Sequence, residues 1–208
     1  MSRRTATLTP DYFDGMYASN PDPWGFTTSP YETEKYAATL ASLPRARYDS
    51  ALEIGCSIGV FTKALAARCT QLLAVDLAVG ALDTARRRCA DVAQVRFAQA
   101  AVPRDWPEGR FDLIVMSEVI YFLDRGDIAR LGEQVKGALR PGGDLVLVHW
   151  LGETDYPLSG DQATEALMIG TEGFLDVVHQ GREAEYRLDV LRAGKSLRGE
   201  NEATTAGP

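Results

Sequence analysis

This sequence predicts an α/β fold with a doubly wound, mostly parallel sheet. Three observations carry the prediction. Between Ala51 and Trp150, strand-sized apolar runs alternate with helical patterns. Those runs are continuously apolar instead of alternating, as strands covered on both faces are. Finally, the two strand-like runs near the end follow each other with no helix between them, which predicts an antiparallel hairpin.

The elements follow in order. Residues 1–10 are polar and read as mobile. Asp11 to Pro30 is dense in proline, which breaks helices and fixes extended or turn geometry. A helix is expected from Ser29 as N-cap, with Pro30 at its first position, running to about Leu43. The five strands of the alternation are Ala51–Ile54, Gln71–Val75, Val92–Ala98, Phe111–Met116 and Asp144–Trp150. Helices are predicted over Val60–Arg68, Gly80–Ala90 and Asp127–Leu139, the last stopped by Pro141-Gly142-Gly143. The hairpin strands are Phe174–His179 and Ala184–Leu191, with Gln180-Gly181-Arg182-Glu183 as the turn. The expected layout is one domain over residues 1–208. It comprises an N-terminal helical lid (1–45), a core with a seven-stranded sheet (46–192) and a disordered tail (193–208).

Composition limits the function. A chain of 208 residues that is 45% apolar suits one full core. A net charge of −7 argues against a grip on nucleic acid, which needs clustered Lys and Arg. Three cysteines without a CxxC pair and two histidines predict neither a disulfide framework nor a metal site. No apolar run has signal-peptide or membrane-spanning length, so a cytoplasmic setting with no membrane partner is expected.

The strongest signal is Leu52-Glu53-Ile54-Gly55-Cys56-Ser57-Ile58-Gly59, a strand that delivers an acid, a glycine-bearing turn and then a helix. Ligands of doubly wound sheets bind at the carboxyl ends of the strands. A dinucleotide turn would need glycines at 55, 57 and 60; Ser57 and Val60 break that pattern. Glu53 beside the loop would repel a pyrophosphate but would favour a cationic sulfonium cofactor. Asp76, ending the second strand before Leu77, is placed to accept ribose hydroxyls. Gln99, Ala100 and Ala101 stand where an adenine would lie, with Gln99 as the polar candidate. Ser117 and Glu118 end the fourth strand at the crevice.

The segments LEIGCSIGVFT, LLAVD, FDLIVMSEVIYFL and LRPGGDLVLVHW resemble the Rossmann-like class I S-adenosylmethionine-dependent methyltransferases over about residues 30–192. The segments DPDPWGF, SPYETEKY, LEIGCSIG and SEVIYFL resemble the nodulation protein S family. Members of that family N-methylate the free amine of a deacetylated amino-sugar unit on a chitin oligosaccharide. The resemblance implies S-adenosylmethionine as cofactor, with Glu53, Gly55, Gly59, Asp76, Ser117 and Glu118 around it. It also implies an N-terminal segment, here with Trp24 and Tyr31, folded over the site. The stretch from His149-Trp150 through Asp155–Asp161 resembles relatives outside nodulation, so the acceptor class is carried over and the oligosaccharide is not.

Methyl transfer to an amine needs the nitrogen neutral, so a nearby base helps. His149, at the end of the fifth strand, has an ordinary pKa suited to accepting a proton. Glu118 could hold a cationic amine or take its proton, and Tyr121 could touch the acceptor. Trp150 and Tyr156, with Tyr121, offer aromatic faces that stack on sugar rings or attract cations. The expected activity is N-methylation of a small-molecule amine. Alternatives are an O-methyltransferase with His149 as base, a non-catalytic cofactor-binding module and, more distantly, a dehydrogenase.

Overall fold

The computed structural model describes residues 3–194. Its helices are α1 (Pro10–Ser19), α2 (Pro30–Ser42), α3 (Val60–Leu65), α4 (Val79–Arg88), α5 (Arg125–Ala138) and α6 (Gly160–Gly170). Its strands are β1 (Tyr48–Ile54), β2 (Cys69–Asp76), β3 (Val95–Gln99), β4 (Phe111–Ser117), β5 (Leu139–Trp150), β6 (Leu175–Arg182) and β7 (Tyr186–Ala193). One sheet has the order β3-β2-β1-β4-β5-β7-β6, with β7 antiparallel to both of its neighbours. The strand order therefore reverses between β1 and β4, and a crevice opens there at the carboxyl ends of the strands.

The central strands β1, β4 and β5 are buried on both faces, and their apolar runs divide accordingly. Leu52, Ile54, Ile114, Met116, Leu145 and Leu147 face one layer, shared with Ile128, Leu131 and Val135 of α5 and Leu167 of α6. Ala51, Leu113, Val115, Val146 and Val148 face the other, with Leu43 behind α2 and Phe61 and Leu65 of α3.

Local chemistry sets the helix starts. The Ser29 hydroxyl caps α2 by accepting from the Glu32 N–H at 3.3 Å, and Pro30 fills the first turn, as the sequence predicts. The Asp124 carboxylate caps α5 by accepting from the Asp127 N–H at 2.9 Å. Ser159 and Gln162 form a reciprocal capping box that opens α6.

Several expectations are corrected. Residues 3–9 are tied down: the Leu8 N–H donates to the Phe122 carbonyl at 2.9 Å, and the Thr7 hydroxyl accepts from the Asp124 N–H at 3.0 Å. The proline-dense segment begins with a helix, α1, because Pro10 sits at its first position, where no hydrogen bond is lost. The predicted Val60–Arg68 helix tightens into a 3₁₀ turn at Ala66–Arg68. The third strand starts at Val95, since Val92 closes a turn onto Cys89. The fifth strand starts at Leu139, where Gly142 takes φ 72° and lets the chain stay in the sheet across Pro141-Gly142-Gly143. The hairpin turn falls after Arg182 instead of at Gln180, because a register shift between Val177 and His179 carries Gly181 into the ladder opposite Leu188. Ala193 ends β7, and the expected tail from Lys195 onward lies outside the described residues.

Candidate active site

A cavity of about 860 Å³ fills the crevice at the reversal of strand order. One end is built by the loop after β1 and the tips of β2 and β3. Gly55 takes φ 79°, and a side chain there would strike Val119 Cγ2, so only glycine fits. Four of the loop's backbone donors are engaged. The Gly55 and Cys56 N–H groups donate to the Val75 carbonyl, and the Gly59 N–H donates to the Cys56 carbonyl. The Ser57 N–H donates to Asp76 Oδ2 at 2.8 Å. A nucleoside with a diol would find the Asp76 carboxylate on the cavity wall. That arrangement fits S-adenosylmethionine.

Of the residues expected around the cofactor, Gly55, Ser57, Asp76, Leu77, Ala100, Ala101, Ser117, Glu118, Trp24 and Tyr31 line this cavity together. Four others stand back from it. Cys56 turns inward against Ala74 and Leu82, and burial pushes its thiol well up. Gly59 begins α3 with φ 78° and lies so close to Ala85 that a Cβ would sit 2.9 Å from its Cα, so it serves helix packing. Gln99 Nε2 donates to the Leu77 carbonyl at 3.0 Å on the open sheet edge. Glu53 is buried behind the loop beside a smaller pocket; its Oε2 has no hydrogen-bond partner, and burial lifts its carboxyl to about 8. Asp76 is also raised by burial, opposed by the amide donors of Ala78 and Ser57.

The N-terminal segment forms the cavity's outer wall. The Tyr17 hydroxyl meets Ser57 Oγ, which clips α1 to the loop. Phe13 meets Phe122 edge-on at 4.9 Å, and Trp24 packs between Tyr17 and Phe26.

The other end lies over β4 and β5. Tyr121 stacks on Tyr156 at 5.2 Å, and Tyr31 meets Trp150 edge-on at 5.5 Å; all four line the cavity. Glu118 follows β4 with φ 58°. Both of its oxygens are engaged. Oε1 accepts from Lys35 Nζ at 2.6 Å, while Oε2 accepts from the Tyr121 hydroxyl and the Trp150 N–H, both at 2.8 Å. Lys35 also donates to Glu32 Oε1 at 2.9 Å and lies 5.0 Å over the Tyr31 ring. Sequence reasoning missed Glu32 and Lys35, because an acid and a base three apart on a helix read as a solvated pair. Burial pushes the Tyr121 phenol well up, with the Glu118 charge adding to the shift.

His149 stands outside the cavity. It is fully buried, its Nε2 accepts from the Ile120 N–H at 3.3 Å, and its Nδ1 faces the Thr164 hydroxyl at 3.3 Å. Burial lowers its pKa to about 4. A ring held this way supports the turn that carries Tyr121.

The family model for nodulation protein S matches residues 17–148. The chain belongs to the nodulation protein S family. It is 40% identical over 129 residues to nodulation protein S of Rhizobium tropici, covering 60% of this chain and 53% of that protein. The chain thus spans about half the length of the curated relatives it matches. Among solved structures, the N-methyltransferase NodS from Bradyrhizobium japonicum WM9, solved with S-adenosyl-L-homocysteine, superposes with a TM-score of 0.75 at 25% identity. The match covers 89% of this chain and 99% of that one. A methyltransferase-like protein from Pseudomonas syringae is 39% identical with a TM-score of 0.68, covering 78% and 98%. The fold is that of the class I S-adenosylmethionine-dependent methyltransferases.

Proposed function

We propose that this chain transfers a methyl group from S-adenosylmethionine to the nitrogen of a small amine, with amino sugars as the substrate class. The observation that carries the reading is the continuity of the cavity. It joins the Asp76 end, suited to a nucleoside, to an acidic chamber walled by Tyr31, Tyr121, Trp150 and Tyr156. Aromatic faces stack on sugar rings and attract cations, and carboxylates favour an ammonium over a neutral acetamide. When bound, the cofactor supplies an electrophilic methyl group on a sulfonium. Asp76 would hold its ribose, and Ser57, Ala100 and Ala101 would border the base and the loop. The chain's own work is alignment of the acceptor and exclusion of water, for which α1 forms the cover.

Transfer to a hydroxyl would call for a stronger base, and the enclosure of His149 speaks against it. The reading includes a cytoplasmic setting and a small-molecule acceptor, with no nucleic-acid, membrane or metal partner. Calorimetry with S-adenosylhomocysteine tests the cofactor half, and absence of binding at millimolar concentration overturns it. Turnover of an amino sugar against its N-acetyl form tests the other half; the free amine alone should react, and equal turnover of both would move the acceptor to oxygen.

A further inference from the structure

Glu32 is the buried group whose chemistry is left unused. It lies on α2, is 7% exposed and borders the cavity. Its Oε1 is held by Lys35, while its Oε2 is buried with no partner at hydrogen-bond geometry, the Tyr36 phenol of the same helix being the neighbouring donor. A buried carboxylate oxygen without a donor is costly, so such an atom points to a donor that arrives with a ligand. Glu118, the acid at the end of β4, has no oxygen to spare. It is filled by Lys35, Tyr121 and Trp150.

We infer that Glu32 is the carboxylate that receives the acceptor's ammonium and takes its proton, and that Lys35 is the positioning residue that holds it. The inference rests on the N-methyltransferase reading above. Position along the sheet favours the acceptor over the cofactor. Tyr31, next to Glu32, contacts Trp150 of β5 and Tyr186 of β7, on the opposite side of the crevice from Asp76 and Ala100. Charge favours a cation. Glu32, Lys35 and Glu118 together carry one net negative charge; facing them are the phenols of Tyr31 and Tyr36 on the same helix, of Tyr121 and of Tyr186 on β7, with Glu185, Glu53 and His149 further out. An ammonium entering between Glu32 and the Tyr31 ring neutralises the cluster. Glu32 Oε2 accepts one N–H proton, which leaves the nitrogen a lone pair. The N–CH₃ bond then forms as the C–S bond breaks, and that electron pair stays on the sulfur of the thioether. The methylated ammonium leaves, and the proton on Glu32 passes to solvent. The removal of a positioned base costs about 10²–10⁴-fold in rate.

The test compares wild type with Glu32→Gln, and with Glu32→Asp if the first fails to fold. Calorimetry reads S-adenosylhomocysteine binding and then titrates glucosamine or N-acetylglucosamine into the loaded protein; turnover of glucosamine is followed against pH. Glu32→Gln is expected to bind S-adenosylhomocysteine as wild type does, lose affinity for glucosamine but not for its N-acetyl form, and lose at least about 100-fold in kcat. Its residual rate should climb about tenfold per pH unit while the free amine is still protonated in solution, with a flatter profile in wild type. Glu32→Asp, which keeps the charge but moves the oxygen, should retain the affinity and lose rate. Wild-type kcat and pH profile in Glu32→Gln overturn the inference. So does a selective loss of S-adenosylhomocysteine binding, which would assign the carboxylate to the cofactor. A wild type that turns over no amine fails the N-methyltransferase reading itself, a result separate from an active wild type with an indifferent variant.

Discussion

Two carboxylates that the sequence places around the cofactor, Glu53 and Asp76, stand at different depths. Asp76 reaches the cavity wall and also holds the loop through the Ser57 and Ala78 amides. Hydrogen bonds to a charged group contribute about 1.5–3 kcal/mol, so Asp76→Ala should weaken S-adenosylhomocysteine binding about 10- to 100-fold in calorimetry. Asp76→Asn keeps the shape and should fall between. Glu53 sits behind the loop, buried and half unpartnered, with a carboxyl raised from 4.5 to about 8. The fold favours its neutral form. Its contribution to stability is complete below about 4.5 and is lost as pH rises through 8. His149 acts in the opposite sense. Its pKa falls from 6.5 to about 4, so the unfolded chain takes up a proton that the fold refuses, and stability drops as pH falls through that window. Thermal melts from pH 4 to 9 should therefore lose height at both ends. Glu53→Gln should flatten the alkaline side alone; an unchanged alkaline slope would show that Glu53 does not set it. Residue types and the carboxyl ends of the parallel strands were legible in the sequence. Burial was not, because it depends on what other segments lay across a position.

The central strands were legible because β4 and the second half of β5 are nearly uninterrupted apolar runs, and a strand buried on both faces needs nothing else. The helices the sequence hid are those whose pattern is short or whose context is proline. In α1, Phe13 and Tyr17 lie one turn apart, and that is the whole of its buried signal. The Ser159…Gln162 capping box announced α6 in the sequence; it went unread because the segment before it is irregular. The position of α1 yields a prediction at this scale. Phe13 packs against Phe122 and Ile58 beneath the cofactor loop, while α1 contributes no strand or layer of the main core. Phe13→Ala should weaken S-adenosylhomocysteine binding by loosening the cover. The melting temperature should fall by about 2–4 °C for each kcal/mol lost. A variant that melts early but binds normally would make α1 a structural element with no part in the site.

The molecule as a whole carries a net charge of −7, and its cavity ends in a cluster with one net negative charge. An acidic field with a low-dielectric cleft at its focus concentrates cations before any contact forms. The sequence made the sign of the field legible, but not its focus, which depends on α2 bringing Glu32 and Lys35 onto Glu118 across 83 positions of chain. Salt separates the two contributions. The screening length is about 8 Å at 0.15 M and about 3 Å at 1 M, so the long-range field is lost across that range while a buried pair keeps most of its strength. For a cationic amino sugar, kcat/KM should fall as salt rises from 0.05 to 1 M, with kcat nearly constant, because steering acts on encounter and not on the bound acceptor. Substitution of surface acids far from the cavity should reduce that slope without touching kcat. If kcat itself fell with salt, the charges that matter would lie in the chamber and be open to ions, and the burial of the Glu32–Lys35–Glu118 cluster argues against that.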